Sequence, residues 1–158
     1  MSGLSIASSG TRLFTMVKFV TGTVQTVATA TSAILNLWNE EVYDDVGAWD
    51  ISAPDRIIVP AGFSYCSPFF HVEFAIVLTA GPCSARIFVN GAAPAGNYLS
   101  PALSGHLSTL VSTQVGNQMP KTPCIAGDYF GVRVRQDSGL DMDFMGSRAM
   151  WWGVEWLR

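Results

Sequence analysis

Along most of this chain apolar and polar residues alternate with a period of two. The runs are short, rich in Val, Ile, Phe and Trp, and closed by Gly, Pro, Asn or Ser. A helical period is nearly absent. The pattern predicts eight principal strands, at about 13–20, 33–39, 56–60, 69–79, 85–90, 106–113, 128–135 and 149–157. Strands of this number and spacing predict an all-β fold, an antiparallel sandwich or jelly roll.

The alternation also predicts faces, because successive side chains of a strand point to opposite sides. In the fourth run Val72, Phe74, Ile76 and Leu78 oppose His71, Glu73, Ala75 and Val77. In the seventh, Phe130, Val132 and Val134 oppose Tyr129, Gly131, Arg133 and Arg135; in the last, Met150, Trp152, Val154 and Trp156 oppose Trp151, Gly153, Glu155 and Leu157. The first set of each run is core. The second mixes aromatics with charges, which suits a subunit interface better than open solvent. His71, Glu73, Tyr129, Arg133, Arg135, Trp151 and Glu155 are therefore the expected interface residues, with the two acids and two arginines available to pair between subunits. Of the five tryptophans, the alternation leaves Trp38, Trp49 and Trp151 off the core.

Turn chemistry separates the runs. Pro60-Ala61-Gly62 makes a turn, and Asn90-Gly91 favours positive φ. From Gly91 to Gly105 the chain holds Pro94, Gly96, Asn97, Pro101 and Gly105, so it reads as an unusually long loop, a length often found at binding surfaces. Residues 1–12 are small, Ser- and Gly-rich, and expected to form an arm without its own core. Leu4 and Ile6 are its only large apolar residues after Met1.

Composition narrows the function. Hydrophobic residues make up 49% of the 158 and charged residues 13%. That is little charge with which to coat a monomer of this size, and burial between subunits accounts for the deficit. A net charge of −3, with only Lys18 and Lys121 as lysines and scattered arginines, argues against nucleic-acid binding. No run is long and apolar enough to span a bilayer as a helix. The first residues lack a basic-then-apolar leader, so synthesis in the cytosol is expected. Cys66, Cys83 and Cys124 lack metal-ligand spacing and are expected to be free, partly buried thiols.

Each candidate chemistry has a plainer reading. Asp44, Asp45 and Asp50, and Asp141 with Asp143, cluster as calcium ligands do, but neither group has a closing bidentate Glu, so turn capping is expected and no metal. His71 and His106 are the only histidines, and the cysteines carry no nucleophile-elbow signature, so catalysis is not expected. Gly91-Ala92-Ala93-Pro94-Ala95-Gly96 lacks the Lys-Ser/Thr of a phosphate-binding loop, and no cofactor is expected. Trp49 with Asp50, and Asn97 with Tyr98, are candidates for stacking on and hydrogen-bonding a host glycan from exposed loops.

Taken in order, several signals resemble the trimeric jelly-roll domain of complement C1q-like and tumour-necrosis-factor-like proteins, in the version carried by phage virion proteins. They are Val24-Gln25-Thr26-Val27-Ala28-Thr29, the aromatic-Asp turn of Tyr43-Asp44 with Trp49-Asp50, Pro60, Gly62 and Tyr65 at a strand junction, Asn90-Gly91, Gly127-Asp128, and the closing Met150-Trp151-Trp152-Gly153-Val154. The Pro-to-Tyr spacing departs from the family pattern by one residue. The resemblance covers about residues 17–158 and leaves 1–16 as an arm and the start of the first strand. It implies a homotrimer that assembles and binds rather than catalyses.

The phage version implies a capsid decoration or head-fibre protein on the virion surface, assembled in the host cytoplasm. Its arm, through Leu4 and Ile6, would contact the major capsid protein or another virion protein. The alternative is the receptor-binding tip of a tail fibre engaging a host surface glycan. The sequence contains no heptads or Gly-X-Y repeats for a stalk, which favours decoration.

Overall fold

The computed structural model describes residues 12–19, 24–36, 38–75, 81–91, 103–106, 112–145 and 150–158. Among them there is no helix, and every strand pairing is antiparallel. The first sheet contains β1 (Leu13–Lys18), β4 (Glu40–Asp44), β6 (Tyr65–Phe74), β9 (Thr113–Gln118), β10 (Thr122–Pro123) and β13 (Trp151–Leu157). Its order is β4-β1-β13-β6, with β9 and β10 following one another along the far edge of β6.

The second sheet contains β3 (Ser32–Ile34), β5 (Ile57–Ile58), β7 (Pro82–Val89), β8 (Leu103–His106) and β11 (Tyr129–Gln136). β11 lies beside β7, β7 beside β8, and β3 and β5 share the other edge of β11. A two-stranded ribbon of β2 (Val24–Val27) and β12 (Met142–Met145) completes the set.

The core lies between the two sheets, where the alternation of the long strands predicts it. Val17, Phe70, Val72, Phe74, Trp152, Val154 and Trp156 face inward from the first sheet; Ala85, Ile87, Phe130, Val132 and Val134 face them from the second. The ribbon adds Val27, Met142 and Phe144, and the Phe144 ring meets Phe74 edge-on at 5.2 Å. Trp38 corrects the sequence-based expectation. It is fully buried, 5.0 Å from Phe19 and 6.2 Å from Trp152, and its indole N–H donates to the Leu35 carbonyl at 3.0 Å. It lies outside a strand, so no alternation rule governs it.

Several elements also differ from the sequence reading. Of the run expected at 106–113, His106 is the last residue of β8 and Thr113 the first of β9, and 107–111 lie outside the described residues. The expected 91–105 loop ends earlier, because β8 begins at Leu103 and pairs with β7. Strands β2, β4, β10 and β12 are additional. They have two to five residues each, too few for a period of two to stand out, and lie at sheet edges or in the ribbon; in edge strand β4 the charge of Glu40, Glu41 and Asp44 also blurs the apolar signal.

Asp44 and Asp50 cap turns beside them, whereas Asp45 bonds across to β1. Asp44 accepts hydrogen bonds from the Ala48 and Trp49 amides at 2.9 and 3.0 Å and from the Thr15 hydroxyl at 2.8 Å. Asp45 accepts from the Phe14 amide, and Asp50 from Ser52, which holds the Asp50 carboxyl below its usual range. Asp143 accepts from the Thr26 hydroxyl at 2.6 Å, tying β12 to β2.

Candidate interface on the first sheet

The outward face of the first sheet is built in rows that cross the strands. One row runs Tyr43, Met16, Gly153, Phe69, Gln118; the next runs Glu40, Lys18, Trp151, His71, Gly116; a third holds Phe14, Glu155 and Ser67. The aromatic side chains in them are not buried by this chain. Phe14, Met16, Phe69, His71 and Trp151 are half-buried and Tyr43 is 58% exposed. Trp151 stacks on His71 at 5.5 Å and meets Phe69 edge-on at 5.6 Å.

Two glycines let these rings lie down on the sheet. A Cβ at Gly153 would collide with the Thr15 carbonyl oxygen and stand 2.8 Å from the Phe69 ring. One at Gly116 would stand 2.8 Å from His71 Nδ1. Two adjoining hollows result, about 810 and 490 Å³, sharing Phe14, Met16 and Phe69. Charge is sparse here and already paired. Arg12 meets Glu155 at 3.3 Å and Lys18 meets Glu40 at 2.7 Å.

The seven residues expected at one interface do not share a face. His71, Glu73, Trp151 and Glu155 lie on the outward side of the first sheet, whereas Tyr129, Arg133 and Arg135 lie on the outward side of the second, with the core between. Both sets face away from the core, but no single flat contact covers both. Phe14, Met16, Phe69 and Tyr43 were missed by the sequence reading. Their signal is present in Phe14 and Met16, which alternate against Thr15 and Val17 within the first run.

Of the arginines and acids expected to pair between subunits, Arg135 and Glu155 have ion-pair partners within the chain. Arg135 meets Asp137 at 3.3 Å, and Glu155 is held by Arg12. Trp49 is half-buried and packed against the core, and its indole nitrogen is buried without a partner among the described residues, so its ring is not an open stacking platform. Asp50 is exposed. Asn97, Tyr98, Leu4 and Ile6 lie outside the described residues.

The described residues contain no group of three His, Cys, Asp or Glu placed to hold a metal. All three thiols are buried. Burial, and next the neighbouring Cys124, pushes the Cys66 thiol far above its ordinary value, and burial also raises Cys83 and Cys124. The folded protein thus holds the protonated, non-nucleophilic form. Stability linked to these thiols is complete below the ordinary value of 9.0 and is lost as pH climbs past it, because the unfolded thiols then ionise first. Ellman's reagent at pH 8 is expected to leave the folded protein unmodified over minutes and to titrate three thiols in guanidinium. Rapid native reaction would show that the thiols are open to solvent.

No family model and no curated protein sequence matches this chain. Solved structures do. The tumour-necrosis-factor protein Eiger from S. frugiperda superposes with a TM-score of 0.57 at 10% identity, covering 93% of each chain. Murine APRIL at pH 8.5 gives 0.57 at 10% identity over 93% of this chain and 100% of the other. Murine APRIL at pH 5.0 gives 0.56 at 12% identity over 91% and 99%. Identities this low speak for the fold alone: the chain is an all-β, antiparallel jelly roll of the C1q/tumour-necrosis-factor-like type.

Proposed function

We propose that this chain is a homotrimeric virion surface protein, a capsid decoration or head-fibre component that assembles and binds rather than catalyses. The observation that carries the assembly part is the half-buried aromatic face of Phe14, Met16, Phe69, His71 and Trp151. A five-strand-wide surface of this kind, with its few charges already paired, loses water readily to a second copy of the same domain. Stable interfaces of the permanent kind bury well over about 1,000 Å², and the outward face of the first sheet provides a continuous platform for that. The phage placement rests on the sequence resemblance to the virion version of the domain. Virion-surface location after assembly in the host cytoplasm follows from that placement.

Attachment to the shell is assigned to the arm, through Leu4 and Ile6. The test uses the full chain and a form lacking residues 1–11, which keeps the Arg12–Glu155 pair. Light scattering at micromolar concentration should give three times the chain mass for both, the full chain being 17.0 kDa. The full chain should bind empty shells and the shortened form should not. A stable monomer would overturn the trimer, and equal shell binding by both forms would overturn the arm as anchor. Binding to host cells without binding to shells would replace decoration with the fibre-tip reading.

A further inference from the structure

We infer that the outward face of the second sheet carries a binding site for a tetrahedral oxyanion, a phosphate or sulfate group. The site is independent of the trimer reading, since it lies across the core from the aromatic face.

Strand register creates it. On β7 and β11, Arg86 stands directly opposite Arg133, and one step along β11, Arg135 is flanked by Ser84 on one side and Ser32 on the other. Directly opposed like charges on neighbouring strands oppose pairing, so such a pair calls for compensation. The chain supplies little. All twelve of its side-chain carboxylates belong to described residues, and the two that ion-pair near this face are taken, Asp137 by Arg135 and Asp55 by Arg56. Neither Arg86 nor Arg133 forms an ion pair among the described residues.

The arrangement is concave and partly fixed in advance. A hollow of about 230 Å³ is lined by Ser32, Ser84, Arg86, Arg133, Val134 and Arg135. Arg133 is anchored at two points, its guanidinium 5.4 Å from the Phe88 ring centre and Nη2 donating to the Gly91 carbonyl at 3.2 Å. Phe88 in turn lies over Gly131, where a Cβ would come 2.6 Å from the Asp55 carbonyl oxygen and collide with the ring. Guanidinium forks and serine hydroxyls are all hydrogen-bond donors, and none of the lining side chains is a carboxylate. Planar forks on two strands suit an anion that accepts several hydrogen bonds at once, as phosphate and sulfate do. In a chain of net charge −3 this is a local reversal of sign, which favours a site over diffuse attraction.

The test is thermal unfolding of the full chain in sodium phosphate, sodium sulfate or glycerol 3-phosphate, each against sodium chloride at matched ionic strength. At about ten times the dissociation constant, wild type should gain roughly 3–6 °C over chloride, and above it the gain should rise with the logarithm of anion concentration. Arg86→Gln should abolish this gain while leaving the anion-free protein as stable or more so, because it removes the like-charge contact. Arg86→Lys should retain part of the gain. An equal gain from glycerol 3-phosphate assigns the site to an esterified group, and a gain from the inorganic ions alone assigns it to a free ion. Equal gains in wild type and Arg86→Gln would reduce the effect to general salting and overturn the site. A fall in anion-free stability on Arg86→Gln would make Arg86 a structural residue and overturn it too.

Discussion

Alanine at position 153 is expected to destabilise the domain by about 3 kcal/mol, near the upper end of the usual cost of overpacking. Gly153 lies mid-strand in β13, between β1 and β6, opposite Met16 on one side and Phe69 on the other. The added methyl would meet the Thr15 carbonyl oxygen, the Phe69 ring and the Met16 Cα, the last at 3.0 Å. The ring could swing aside, but the two backbone atoms belong to a paired strand and move only if the β1–β13 register opens. Thermal unfolding at fixed protein concentration should register a fall of roughly 6–12 °C for a domain of this length. Gly62→Ala is the useful comparison. Its φ is +91° but nothing lies within 4 Å of the added Cβ, so only backbone strain is charged and the loss should be near 1 kcal/mol. Equal losses at the two positions would mean that the packing at Gly153 has slack.

The second large effect concerns assembly. Trp151→Glu is expected to convert the proposed trimer to folded monomers, raising the dissociation constant by at least about 30-fold, as loss of a central aromatic contact does. Trp151 is half-buried on the outward side, stacked on His71 and edge-on to Phe69, and it contributes nothing to the inter-sheet core. The isolated domain should therefore tolerate the change, and its far-ultraviolet circular dichroism should stay that of an antiparallel β protein. Arg133→Glu on the opposite sheet serves as the control and should leave the mass at three times 17.0 kDa. If Trp151→Glu remains trimeric while Arg133→Glu dissociates, the subunits meet through the second sheet instead.

How much was legible beforehand depends on the element. The long central strands β6, β11 and β13 were readable because each has one face in a dry core, which forces strict alternation over many residues. β4, with Glu40, Glu41 and Asp44 in five residues, was not. An edge strand is held by pairing with one neighbour and bears charge outward, so its composition resembles a loop. Asp44 and Asp50 were legible as caps, since Asp bonds locally to backbone amides wherever the chain turns; Asp45, Asp141 and Asp143 instead bond to residues far along the chain. The aromatic outward face of the first sheet was legible in part: alternation puts Trp151 and His71 on it in advance, and the same rule, applied to the first run, would have added Phe14 and Met16.

The sequence alone determined the all-β class, the inward residues of the long strands, the capping role of Asp44 and Asp50 and the jelly-roll resemblance. These are local properties, set by the two-residue period of a strand and by turn chemistry. Only the tertiary structure decided which outward faces lie together. Alternation says that Arg133 and Trp151 both point away from the core, but not that they point away in opposite directions. Nor does it place Arg86 beside Arg133, Trp38 inside the core, or the Phe69 ring over Gly153. Each depends on which strands pair and in what register. That is settled by contacts between residues far apart in the chain, and the period of a single strand carries no information about them.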